Sequence, residues 1–481
     1  MNSLKRMMAL AGAGALAVAL VACGSDKQAS TTTGGGDTTA GETTAAASTA
    51  AATTAAPTTE AGPTALKVPA DFPSIQKAVD AAKPGDLILV SPGTYHEAVN
   101  ITTDQLTLRG LDRNTVVLDG ELKLDNGVRV LGAKGVTVEN MTATNYTSNG
   151  FFFTQVEGYR GSYLTAYRTG DYGVYAFDAT KGQLDHIYAA GSPDAGVYIG
   201  ACYPCDAVID RIVSEHNGLG YSGTNSGGNL LIINSIFRFN RAGVVPNSGS
   251  YELCYPERKT TIVGNIVYSN NQPDTPAIDV ALLAMGNGIL SAGGVGNVIE
   301  RNLVYDHDKS GIGLVPFLEN DPNDKVPAPD TWDVTCDVQR QGTPENPGGP
   351  VLWDSQKNSV QNNEVSDSRV ADLLVASAGT DLQTLGNCAA GNKLATTLPK
   401  NYETLAPCTG TGSGDWKDGE YNIVSWLNET HPPSVDWKTA TLPPLQPQDN
   451  MPDAATAPAH PATDVPEKVD LAAITVPTKP A

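Results

Sequence analysis

Short apolar runs along this chain open on glycines at a near-constant interval. Gly127, Gly150, Gly173 and Gly196 stand 23 residues apart, Gly220 follows after 24, Gly243 after another 23, and Gly288 and Gly311 are again 23 apart. Each unit holds a first β-branched or aromatic run, such as Gly196-Val-Tyr-Ile-Gly200, and a second, such as Ala207-Val-Ile-Asp-Arg-Ile-Val-Ser214. Both read as strands. Units of short strands without a helix cannot bury an apolar face alone, so they stack on their neighbours, and the pattern predicts an all-β parallel solenoid over residues 66–410. Asn140, Asn265, Asn302 and Asn363 recur where the second run begins, which predicts side-chain amides bonded along the solenoid axis.

Residues 249–287 and 317–350 break the period and are rich in Pro, Asp and Asn, as expected of loops leaving the solenoid on one side. After about residue 410 the repeat disappears. Residues 411–481 read as a C-terminal cap segment, carrying Trp416, Trp426 and Trp437, followed from 441 by a Pro-rich tail that is extended or disordered.

Ahead of the repeat, Ser74 can cap a helix whose apolar positions Ile75, Ala78, Val79 and Ala82 share one face, with Pro84-Gly85 as its stop. Such a helix would plug the open end of the solenoid. The stretch from Val68 to Ile101, which contains Asp71-Phe-Pro-Ser-Ile-Gln-Lys-Ala-Val79 and Gly85-Asp-Leu-Ile-Leu-Val-Ser-Pro-Gly-Thr-Tyr95, resembles the opening of pectin-lyase-like proteins. The resemblance implies a single-stranded right-handed parallel β-helix with a short N-terminal capping helix. It says little about chemistry, because this fold hosts lyases, hydrolases, esterases, epimerases, tailspikes and non-catalytic surface proteins.

Residues 1–23 pair Lys5 and Arg6 with an apolar stretch from Met7 to Ala22 and read as an export signal. Leu20-Val-Ala-Cys23 resembles the lipobox of bacterial lipoproteins, which implies lipidation at Cys23 and an anchor on the extracytoplasmic face of the cell membrane. Residues 24–65 are almost entirely Thr, Ala, Gly, Ser and Pro, a composition that cannot bury enough apolar area to offset ordering and reads as a disordered tether. With 31 basic and 52 acidic side chains in 481 residues the formal charge is −21, which argues against nucleic acid as a partner. Beyond Cys23 six cysteines remain, Cys202, Cys205, Cys254, Cys336, Cys388 and Cys408, an even number in a compartment that permits oxidation. Three disulfides are expected, with connectivity open and Cys388–Cys408 attractive as a local pair. Cys202-Tyr-Pro-Cys205 also reads as a redox or metal motif, but no second such motif completes a four-thiolate site.

In a stacked solenoid, residues at equal offsets lie above one another at about the 4.8 Å strand spacing. Asp171 and Asp194 stand 21 residues after Gly150 and Gly173, and the next turns carry Glu215, His216 and Asn217, then Asn240 and Arg241. Two carboxyls so placed raise one another's pKa and form the pairing that glycoside hydrolysis uses. Removal of a proton beside a uronate carboxylate would instead need a base, with Arg241 or Ca²⁺ over the developing charge. His216 would serve as that base if Asp194 oriented it. Asp, Asn and His also cap turns locally, which is the plainer reading of each one alone. Twelve of the 17 tyrosines lie between Tyr146 and Tyr255, and with Tyr198, Tyr221, Asn225 and Asn247 they suit a glycan groove, ring faces against sugar C–H faces and amides on hydroxyls.

The sequence thus points to a membrane-tethered β-helix that binds a polysaccharide or cell-wall glycan along a Tyr-rich face. Cleavage or epimerisation of that glycan, non-catalytic binding, and a structural surface role all stay open, as do glycan identity and oligomeric state. No cofactor is required by hydrolysis; Ca²⁺ enters only with the uronate chemistry.

Overall fold

The computed structural model describes residues 65–480. Cys23, the export signal over 1–23 and the tether up to residue 64 lie outside the described residues. Among the described residues no helix is long and apolar enough to cross a membrane.

The glycine period becomes the coils of a parallel β-helix. A 20-stranded sheet carries two legs of each coil and an 11-stranded sheet carries the third. One coil runs through Thr180–Asp185 and Tyr188–Ala190 on the larger sheet and Ala195–Gly200 on the smaller. Each strand pairs with the equivalent strand one coil away, so Val174 lies between Phe151 and Val197, and Tyr175 between Phe152 and Tyr198. Alternation does the sorting: Val174, Ala176, Val197 and Ile199 are fully buried inside the coil, whereas Tyr175 and Tyr198 face outward.

The glycines mark a corner where coils approach too closely for a side chain. A Cβ on Gly150 would lie 2.7 Å from the Gly173 carbonyl oxygen, one on Gly173 2.5 Å from that of Gly196, and one on Gly243 2.4 Å from that of Gly288. Backbone cannot move aside there, and the period is the sequence trace of this contact.

Amide stacking runs along the axis as expected for three of the four asparagines. Asn265 Nδ2 donates to Asn302 Oδ1 at 3.0 Å, Asn302 to Asn363 at 3.0 Å and Asn363 to Asn392 at 2.9 Å. A second stack joins Asn217, Asn240 and Asn270. Asn140 departs from the expectation: its amide bonds to the Gly110 carbonyl and to the backbone N–H of Met451, because no asparagine stands above it.

At the N-terminal end, Ile75–Ala81 forms the capping helix, with Ser74 accepting from the Lys77 N–H and Ile75, Ala78 and Val79 buried on the first coil. At the far end, Trp416 packs edge-on against the buried Tyr402 at 6.0 Å. The three tryptophans of this segment do not form one cap. Trp426 lies over the smaller sheet and Trp437 beside the turn at Gly170, since the chain runs back along the solenoid after leaving its end.

Residues 249–287 also differ from expectation. The solenoid continues through the middle of this stretch as strands Arg258–Val263 and Ile266–Tyr268, and two separate excursions lengthen the coil without costing it a strand. The second break, 317–350, is flanked by an antiparallel pair, Phe317–Glu319 with Val351–Trp353. All six cysteines pair: Cys202–Cys205, Cys254–Cys336 and Cys388–Cys408. Cys254–Cys336 staples the first of the two excursions to the 317–350 break.

The Pro-rich tail is extended and lies along the larger sheet. Arg168 donates to the carbonyls of Trp437, Lys438 and Ala440, and Arg109, ion-paired with Glu139, donates to those of Ala457 and Pro458. Beyond this the tail turns back, and Leu471 and Ile474 pack on Val208, Ile233 and Val263. Prolines suit the path because the strap makes no ladder of its own and spares its missing N–H groups.

Candidate functional site

Asp171 and Asp194 sit in successive copies of one turn, each just ahead of a strand of the smaller sheet, with the Asp194 N–H donating to the Asp171 carbonyl at 3.2 Å. The outward residues of the strands that follow are aromatic. Phe152 and Tyr175 stack with centroids 4.9 Å apart, Tyr172 lies flat on Tyr175 at 4.2 Å, and Tyr198 meets Tyr175 edge-on at 4.8 Å. The same column continues beyond Tyr198 as Ser222, Val245 and Leu290.

A third carboxyl, Glu252, reaches this surface from the excursion that follows strand Ala242–Asn247. It accepts a hydrogen bond from the Tyr198 hydroxyl, and its charge acts on both Asp194 and Tyr175. The excursion is fixed at several points. Asn225, fully buried, donates to the carbonyls of Gly249 and Glu252 and accepts from the Gly249 N–H. Asn247 donates to the Tyr251 hydroxyl at 2.6 Å. Glu319 accepts from both the N–H and the hydroxyl of Ser250 and from the Trp353 indole.

Burial raises the Asp171 carboxyl from 3.8 to about 6. Burial also raises Asp194 well above 3.8, with the Asp171 and Glu252 charges adding to it and a bond from the Tyr172 hydroxyl opposing. Glu252 is raised from 4.5 to about 7, first by burial, with a bond from Tyr198 opposing and the Asp171 charge adding. All three carboxyls are thus raised, which lets one hold a proton beside an ionised neighbour, the complement that acid–base chemistry at an ether oxygen needs. Tyr172, Tyr175 and Tyr198 are all pushed upward by burial and remain hydroxyl donors.

The structure brings together Asp171, Asp194 and Tyr198, and holds Asn225 and Asn247 behind them as supports of the Glu252 excursion. Three other sequence candidates stand elsewhere. Tyr221 is inside the coil, its hydroxyl donating to the Ile199 carbonyl, since the coil between Gly196 and Gly220 has 24 residues: Tyr221 pairs with Val197, and Ser222 takes the outward place beside Tyr198. His216 lies against Phe239 at 5.6 Å with Glu215 and Arg238 as its charged neighbours, because it directly follows the strand Val213–Glu215, and Gly218 takes the place beside Asp194 in that coil. Arg241 is two coils along from Asp194, and its guanidinium is consumed by the carbonyls of Pro273, Thr275, Pro432 and Pro433. Among the described residues no group of three or more His, Cys, Asp or Glu side chains is arranged to hold a metal ion.

Glu252 belongs to the dense polar stretch 196–256, but it lies in a break of the period, where no offset relates it to a column and so nothing in the sequence assigns it a role.

Residues 126–316 match the family model described as a right handed beta helix region. Among solved structures, the A-module of the mannuronan C-5 epimerase AlgE4 of Azotobacter vinelandii is 14% identical, over 70% of this chain and 95% of that one, with a TM-score of 0.45. An alginate lyase from Paenibacillus sp. str. FPU-7 is 14% identical, over 68% of this chain and 92% of that one, with a TM-score of 0.38. The Dettilon tailspike protein is 12% identical, over 68% of this chain and 62% of that one, with a TM-score of 0.40. No curated protein matches the sequence. The matched stretch is the one that carries the glycine period, and coils continue it on both sides: the chain is a right-handed parallel β-helix protein.

Proposed function

We propose that this protein binds a polysaccharide along the outward rings of Phe152 and Tyr175, backed by the buried Tyr198, and hydrolyses a glycosidic bond at Asp171, Asp194 and Glu252, while tethered to the extracytoplasmic face of the membrane through Cys23. The observation that carries the reading is the meeting of three carboxyls, two raised to about 6 and about 7, with a stack of outward aromatic rings. Ring faces take sugar C–H faces. Asp194, protonated, is the donor to the leaving oxygen, and Asp171, ionised at neutral pH, is the base or nucleophile on the other side of the bond. Burial and the Asp171 charge raise Asp194 first, and Glu252, bonded to Tyr198, adds to this where it is itself ionised.

Hydrolysis is favoured over elimination or epimerisation by the charges present. Burial, the other carboxyls and tyrosine hydroxyls act on the three acids, and no lysine or arginine is among the groups that do. Proton removal beside a uronate carboxylate leaves charge that a cation must meet, and Arg241 is committed elsewhere.

The test is incubation of the full chain with neutral and uronate polysaccharides. New reducing ends without an ultraviolet-absorbing unsaturated product are expected, lost in Asp194→Asn and Asp171→Asn with binding retained. An unsaturated product, or turnover that survives both substitutions, refutes the assignment; retardation in a glycan gel without turnover would make the face a binding module. Membrane tethering is checked separately: Cys23→Ser should move the protein from the membrane fraction to the soluble one.

A further inference from the structure

Beyond Tyr198 the outward column changes character. Ser222 is one coil along, and then Val245 and Leu290 follow where the lower coils present aromatic rings. At two strand spacings, Val245 lies about 10 Å from Tyr198. These residues do not lie open: the helix Asp279–Ala284 from one excursion and the helix Ile423–Leu427 from the C-terminal segment arch over them. The two helices do not close the space. A pocket remains, lined by Val245, Leu283, Leu290, Phe317 and Trp426, with Asn247 at the side shared with the carboxyl site.

The polar groups of this lining are already used. Asn247 donates to the Tyr251 hydroxyl and accepts from Thr224, and the Trp426 indole donates to the Leu283 carbonyl at 3.2 Å. No charged side chain lines the pocket. A sugar hydroxyl entering it would give up water for nothing, whereas a hydrocarbon group would lose only unfavourable contact with water. The walls are also braced: Lys309 sits over the Trp426 ring at 4.4 Å and pairs with Glu429 at 2.9 Å, which holds the second helix at its distance from the sheet.

We propose that this pocket binds an alkyl or acyl substituent of the same sugar chain that occupies the carboxyl site, and so selects a glycan or glycolipid bearing an apolar group about two coils from the bond attacked. The inference rests on the reading of the carboxyl site as a glycan site, through the shared column and through Asn247. It makes Leu283 and Trp426 specificity-determining residues rather than catalytic ones.

The test uses methyl, butyl and octyl glucopyranosides, below the concentration at which the longest forms micelles, with the full chain and titration calorimetry. Affinity is expected to rise about fourfold for each methylene buried and to level off once the pocket is full. Leu283→Trp, which occupies the pocket, should abolish the dependence on chain length, and Leu283→Ala should move the plateau to a longer chain. Equal affinity for methyl and octyl probes, no binding of the octyl probe, or an unchanged chain-length series in both variants overturns the proposal. Tyr175→Ala separates the two readings. If it weakens all three probes alike, both sites are engaged by one ligand; if it affects none while the Leu283 variants still act, the pocket stands alone, and the glycan reading and the proposed link between the sites fall.

Discussion

Replacing Glu252 by Gln should stabilise the protein above neutral pH while disabling the site. In the folded chain Glu252 is raised from 4.5 to about 7, by burial first, with the Tyr198 hydroxyl bond opposing and the Asp171 charge adding. On unfolding the carboxyl returns to 4.5, so between 4.5 and about 7 the folded state keeps a proton that the unfolded state has released. Stability therefore falls as pH rises through that window, is at its full value below 4.5, and has lost the whole contribution above about 7. The interval is worth about 3 kcal/mol. Gln fills the same volume, stays neutral and still accepts from Tyr198, so the variant escapes the loss. Urea unfolding followed by near-ultraviolet circular dichroism, which reads the tyrosine cluster itself, should give equal midpoints for the two proteins below 4.5 and a higher midpoint for the variant above 7. A variant that is equally or less stable at the higher pH would mean that Glu252 is not buried against Asp171 and Tyr198, and the acid cluster would be dismantled with it.

Other parts of the molecule make separate predictions. Arg109→Ala leaves the buried Glu139 carboxylate without its ion pair and loosens the tail, and should cost about 3–5 kcal/mol in thermal or urea unfolding. Gly173→Val places a side chain 2.5 Å from the Gly196 carbonyl and should abolish folded, soluble protein, whereas valine at the open Gly349 should not. Serine at both Cys254 and Cys336 should depress hydrolysis more than serine at both Cys388 and Cys408, because only the first pair anchors the excursion that carries Glu252. The rate should fall on the acid side through about pH 6 as Asp171 takes up a proton, a limb absent from any residual activity of Asp171→Asn.

The coils were legible because their cause is periodic. Gly127, Gly150 and Gly173 repeat since each must let the next carbonyl come close, and Asp171 and Asp194 could be placed together from equal offsets alone. The same regularity misled at Tyr221. It stands 23 residues after Tyr198, but the intervening glycines are 24 apart, and one extra residue in a coil turns an outward side chain inward. Arg241 was correctly in the column yet unavailable, because what surrounds it comes from Pro273 to Thr275 and from Pro432 and Pro433, segments with no period to read. The prolines left the tail open between extended and disordered; its track along Arg168, Arg109 and Val208 depends on partners hundreds of residues away.

That division has a physical basis which also explains where chemistry arises. Stacking generates columns of like residues, and like residues one strand spacing apart repel if they are charged, so a regular β-helix alone yields only asparagine stacks, aromatic stacks and at most a strained carboxyl pair such as Asp171 with Asp194. A site needs a group from outside the column to split the pair into one acid that keeps its proton and one that does not. Glu252 arrives by leaving the coil after Asn247 and is held by Asn225, Glu319 through Ser250, and Cys254–Cys336. The scaffold tolerates the departure because pairing resumes at Arg258 and, after a bulge between Gly227 and Leu230, runs in register from Thr260. Shortening the excursion so that residue 248 joined residue 257 directly should then leave the coils intact, keep the aromatic column, and release Asp194 to titrate with Asp171 alone; a chain that failed to fold would mean instead that the excursion is part of the scaffold.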